Sequence, residues 1–114
     1  MKSRKLNVKF PVFGDYTVYI EMTDDMKKSL AKRKVTAPAI SEIDNNAHAM
    51  VIHDDNASSY VFLPMKPAVG TIAHEAWHVI KGMMEYAGVE LDNETVAYHL
   101  GYLVNKISKF VRKA

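Results

Sequence analysis

The chain contains no cysteine. That absence excludes disulfides, thiolate metal sites, iron–sulfur clusters and a cysteine nucleophile, so any metal held by side chains must rest on histidine and carboxylate. There is no apolar run long enough to span a bilayer. Internal repeats and low-complexity tracts are missing as well. Lys2, Ser3, Arg4 and Lys5 resemble the charged start of a signal peptide. Behind them polar and apolar residues alternate, with Lys9 and Pro11 interrupting, so no apolar signal core follows. The expectation is a cytoplasmic protein without membrane association.

What is present is 114 residues, 48% apolar and 25% charged, with a formal charge of +2. That length suits one domain over residues 1–114 and a core that buries roughly two-thirds of the unfolded surface. The small net charge conceals a partition. Residues 1–35 carry nine Lys/Arg against four Asp/Glu, and residues 106–114 carry four bases and no acid. Residues 36–105 carry two bases against nine acids. Such asymmetry can mark a nucleic-acid surface, but solvated helix ends produce it equally. No helix-turn-helix or stacking-aromatic motif accompanies it, so nucleic acid is not the expected partner.

Residues 5–13 alternate at the strand period, with Leu6, Val8, Phe10 and Val12 on one side. Gly14-Asp15 reads as a two-residue turn and Tyr16 to Met22 as the returning strand, while Pro11 suggests an edge position or a bulge. Thr23 is the expected N-cap of a short helix whose acids come first and bases last, matching the helix dipole. A loop follows around Thr36-Ala37-Pro38. A second hairpin is predicted from Ala47–His53, a turn at Asp54-Asp55-Asn56, and Ser59–Leu63. From Pro67 to Ala87 the apolar residues recur at three and four, with Pro67 in the first turn and Gly88 beyond the end. Asp92 is the expected N-cap of a last helix with the stripe Val96, Leu100, Leu103, Val104, Ile107 and Val111. The order β-β-α-β-β-α-α gives an α+β fold: two β-hairpins in one sheet, a short helix, a motif-bearing helix and a C-terminal helix.

One segment carries chemistry: His74-Glu75-Ala76-Trp77-His78, an H-E-x-x-H on a predicted helix. Four residues advance a helix by about 400°, so both imidazoles lie on one face, one turn apart. That spacing lets two neutral imidazole nitrogens ligate one Zn²⁺, with Glu75 beside them to take a proton from water. A plain solvated polar face with Thr71, Lys81 and Glu85 would give the same pattern. A catalytic zinc takes three protein ligands, and Glu94, in the first turn of the next helix, is the candidate third. A first-turn acid interacting with the helix dipole is the plain alternative for Glu94. Trp77, Met83 and Met84 are assigned to the core, and His99 to a packed position. His48 and His53 have no partner at ligand spacing.

His74-Glu75-x-x-His78, followed sixteen residues later by a glutamate in Asn93-Glu94, resembles the gluzincin branch of the zincin metallopeptidases. The chain is also similar to short zincin-like proteins encoded by bacteriophages and prophages. The resemblance covers about residues 59–105. It implies a small zincin-like domain with one Zn²⁺ per chain, His74, His78 and Glu94 as ligands, and Glu75 as general base. Tyr98 stands where the family often has an aspartate that orients a histidine ligand, and a phenol supplies no such carboxylate. Tyr98, His99 and Tyr102 are candidates to stabilise an oxyanion, Tyr98 lying nearest Glu94 on the helical wheel and His99 turning toward the apolar side. The resemblance further implies that the strand before the motif helix is an edge to which an extended peptide adds, making Tyr60, Val61 and Phe62 substrate-binding. An ordinary half-buried strand is the alternative there.

The leading expectation is thus a zinc-dependent hydrolase that cleaves peptide bonds, acting in the cytoplasm or, if phage-encoded, in the host cell. The second is an inactive zincin-like accessory protein that works by binding a protein partner. The third is a small nucleic-acid-associated protein.

Overall fold

The computed structural model describes residues 3–33, 49–54 and 57–113. The elements are β1 (Ser3–Phe10), a 3-10 turn (Pro11–Phe13), β2 (Tyr16–Thr23), α1 (Met26–Arg33), β3 (Met50–Asp54), β4 (Ser58–Leu63), α2 (Val69–Ala87) and α3 (Asn93–Arg112). The α+β class and the two hairpins are as expected. The expected loop at residues 36–38 and part of the predicted strand at 47–48 lie outside the described residues.

The hairpins join into one sheet in the order β1-β2-β4-β3. Pairing is antiparallel within each hairpin and parallel between β2 and β4, where Val18 faces Ser59 and Ile20 faces Val61. Alternation divides the side chains between two faces. Tyr16, Val18, Ile20, Met22, Val61 and Leu63 point to the face covered by α2 and α3, packing with Ile72, Ala76, Val79, Ile80, Met83, Leu103 and Ile107. Phe62, with Met50, Ile52 and Tyr60 around it, packs under Met26 and Leu30 of α1 on the other face. The sheet is therefore covered on both sides, which explains why Val61, Phe62 and Leu63 are all fully buried.

Several local expectations need correction. Gly14 and Asp15 both have positive φ, but β1 ends at Phe10 and the 3-10 turn intervenes, so the hairpin loop spans residues 11–15. Val12 consequently leaves the inward row and stands 82% exposed. Thr23 ends β2 instead of capping α1. The cap is Asp25, whose Oδ1 accepts from the Lys28 N–H at 3.2 Å. Pro67 lies before α2, whose N-cap is Ala68, while Gly88 does close the helix at φ 68°. Asp92 caps α3 as expected, accepting from the Thr95 N–H at 2.8 Å. Those backbone and side-chain bonds from Thr95 hold its carboxyl below the usual range. Trp77 is 38% exposed, not a core residue, whereas Met83 and Met84 are fully buried.

Candidate functional site

In α2, Ile72, Ala76, Val79, Ile80 and Met83 face the sheet, which turns Thr71, His74 and His78 outward along one flank. Glu75 lies at the boundary between flank and core and is buried. The Nε2 atoms of His74 and His78 are 3.2 Å apart. The separation is that of a hydrogen bond between the two rings, and it is close to the ~3.3 Å between two nitrogens that are each about 2.0–2.1 Å from one tetrahedral ion. The Glu75 Oε1 lies 4.0 Å from the His74 Nε2. Desolvation raises the Glu75 carboxyl above its ordinary value, with the two imidazoles pulling the other way.

The flank borders β3, not α3. A pocket of about 310 Å³ beside the motif is lined by Ala49, Gly70, Thr71, His74 and Glu75. Farther along the same flank the His53 ring of β3 lies against Gly82 of α2. A Cβ built on Gly82 would come within 2.2 Å of the His53 Cε1. Chain direction thus sets a groove, with residue 49 near the start of α2 and residue 53 near its second half.

This arrangement decides where the other expected site residues stand. Glu94 is exposed in the first turn of α3. Among the described residues no three His, Asp or Glu side chains gather closely enough to hold one ion, so Glu94 does not join His74 and His78. Tyr98 is 73% exposed and lines a different pocket, with Lys9, Phe10, Pro11, Val12, His99 and Tyr102. It is not placed to serve an oxyanion at the motif. His99 is packed: it donates from Nδ1–H to the Thr95 carbonyl at 2.9 Å and lies edge-on to Phe13. Tyr60, Val61 and Phe62 sit in an interior strand whose backbone pairs with β2 on one side and β3 on the other. A peptide cannot add there. Among the described residues the strand edge beside the motif belongs to β3, Met50–Asp54.

His53 is the residue that sequence reasoning passed over. Its Nδ1 is 2.9 Å from the Ser59 Oγ, its register partner on β4, and Ser59 is in turn hydrogen-bonded to the Tyr16 hydroxyl. Tyr16 and Ser59 are 1% and 0% exposed. If Ser59 donated to Tyr16, the buried phenol would need another acceptor. The order that leaves no orphan runs from Tyr16 O–H to Ser59 Oγ, then from Ser59 O–H to His53 Nδ1. That order leaves the His53 proton on Nε2. Burial lowers the basicity of the imidazole and the neighbouring His78 adds to this, while Glu85 opposes it. Two signals pointed to this network: a serine at the start of an apolar strand, and a glycine in mid-helix, which costs about 1 kcal/mol against alanine unless something needs the space.

No family model, curated protein or solved structure matches the chain.

Proposed function

We propose that the chain is a metal-dependent hydrolase of the zincin type, cleaving peptide bonds in the groove between β3 and α2. One observation carries this reading: the Nε2 atoms of His74 and His78 converge to 3.2 Å beside the buried carboxyl of Glu75. The donor set fits two of the three protein ligands a catalytic zinc takes. Two imidazoles with oxygen donors also suit manganese or iron. A divalent ion held there would act as a Lewis acid toward a carbonyl group and toward water.

The chain's own part is clear in outline. Glu75, partly desolvated, accepts a proton from water as its oxygen attacks the scissile carbonyl, then passes that proton to the departing amine. The edge that β3 forms among the described strands would offer backbone groups to an extended substrate without demanding particular side chains. A second reading draws on the isolation of Glu94. With two protein ligands gathered among the described residues, the same groove can serve as a binding module without turnover.

The test is metal uptake by untagged protein together with hydrolysis of short peptides and of denatured protein. The expected result is uptake that falls at least tenfold in affinity in His78→Ala, persists in Glu94→Ala, and supports cleavage that Glu75→Gln abolishes. Cleavage that survives Glu75→Gln or a strong chelator overturns the mechanism. Stoichiometric metal without cleavage selects the binding module, and no uptake at all reduces the two histidines to a polar face.

A further inference from the structure

Beyond the motif the groove opens into a pocket of about 350 Å³, lined by Tyr16, His53, Asp54, Gly82, Glu85 and Tyr86. Its volume lies at the small end of the range of about 300–1,000 Å³ that ligand sites occupy. Gly82 is one helical turn beyond His78, a rise of about 6 Å, so the pocket continues the motif's flank.

Its walls are held by specific contacts. Three strands contribute to the hydrogen-bond chain from Tyr16 through Ser59 to His53, and the glycine on α2 makes room for the imidazole. The Tyr16 and Tyr86 rings lie 5.7 Å apart at a tilt of 55°, forming an aromatic side. The rim carries the carboxylates of Asp54 and Glu85, and neither lysine nor arginine is among the described lining residues. An ammonium or guanidinium group entering along aromatic faces gains cation–π attraction as well as charge pairing with Glu85. An anion would be repelled by the Glu85 carboxylate, and a purely aliphatic group would leave the polar rim unmatched.

We propose that this pocket is a subsite for a basic side chain, so that the groove selects extended peptides carrying lysine or arginine next to the segment lying over His74 and His78. As a statement about substrate class it rests on the hydrolase reading, while recognition of the cation itself requires no metal. Glu85 supplies the charge, Tyr86 the exposed aromatic wall, backed by the buried Tyr16, and His53 the floor.

The test is a titration of the full chain, kept metal-free with EDTA, followed by amide ¹H–¹⁵N spectra. The probes are Nα-acetyl-lysine methylamide and its neutral counterpart Nα-acetyl-norleucine methylamide. The lysine probe should shift the His53, Asp54, Gly82 and Glu85 amides saturably, and bind at least tenfold more tightly than the norleucine probe. Glu85→Gln, at an exposed position, should remove most of that preference while the dispersion of the spectrum shows the fold intact. Equal binding of the two probes, shifts confined to other residues, or an unaltered preference in Glu85→Gln overturns the proposal. A lysine preference in protein that cleaves nothing leaves the subsite standing and removes the hydrolase reading. Metal-dependent cleavage with no preference for basic residues does the reverse.

Discussion

At the scale of single residues, Glu75 places an ionisable carboxyl at a buried position of α2. Desolvation raises its folded-state pKa. A carboxyl so raised holds its proton more tightly folded than unfolded. Its favourable contribution is therefore complete below the unfolded pKa and lost as pH rises through the folded one. At neutral pH the ionised side chain is a net cost to the metal-free fold. Glu75→Gln should accordingly raise the thermal midpoint of the metal-free protein by about 1–3 °C at pH 7. The gap should close as pH falls toward 4. Calorimetry across that range checks it, and a variant less stable than wild type at pH 7 would mean that the carboxylate has a stabilising partner. The motif itself was legible because H-E-x-x-H is a local pattern and α2 a regular amphipathic helix. Glu94 and Tyr98 were not, since their relation to His74 depends on which side of α2 the last helix occupies, and no short-range signal carries that.

At the scale of elements, β3 and α2 approach closely at Gly82. Gly82 sits in mid-helix, where alanine would be preferred by about 1 kcal/mol. The His53 ring occupies the space a methyl group would take, with its Cε1 within 2.2 Å of a Cβ built there. In Gly82→Ala the imidazole must swing out, breaking its bond to Ser59 and leaving buried hydroxyls short of a partner, at about 1–3 kcal/mol. The helix gain offsets part of this, so the net loss should be about 0.5–2 kcal/mol. In a His53→Ala background the obstruction is gone and the same change should stabilise by up to about 1 kcal/mol. A double-mutant cycle by urea denaturation reads this change of sign directly. If Gly82→Ala has the same effect in both backgrounds, the close approach of ring to helix is not what the glycine serves. The end signals at Gly88 and Asp92 could be read from sequence because each acts within one turn. The Gly82 signal was present too, but its meaning lay in a strand 29 positions away.

For the whole molecule, the decisive choice is which strand of the second hairpin meets the first. Alternation and turn residues specify each hairpin but say nothing about how the two join. Burial decides it. Val61, Phe62 and Leu63 of β4 form a continuous apolar run buried on both faces, whereas β3 carries His53 and Asp54 and keeps most of its residues half-exposed. Putting β4 inside leaves β3 at the rim of the described sheet, beside the motif helix. The unbroken Tyr-Val-Phe-Leu run at residues 60–63 was the sequence signal for an interior strand, but the peptide-binding role assigned to it pointed the other way. The parallel β2–β4 junction should then be the most resistant part of the fold. In native-state hydrogen exchange the amides of Ile20, Met22, Val61 and Leu63 should open only with global unfolding, while those of β3 and α1 should exchange through cheaper local openings. Ile20 is fully buried at that junction, so Ile20→Ala should cost about 2–5 kcal/mol and accelerate exchange at all four junction amides together. Because β3 holds His53, local opening of β3 would also loosen the groove without melting the sheet. If β3 amides prove as slow as those of β4, the edge strand is locked into the core, and a peptide adding there would meet a rigid surface.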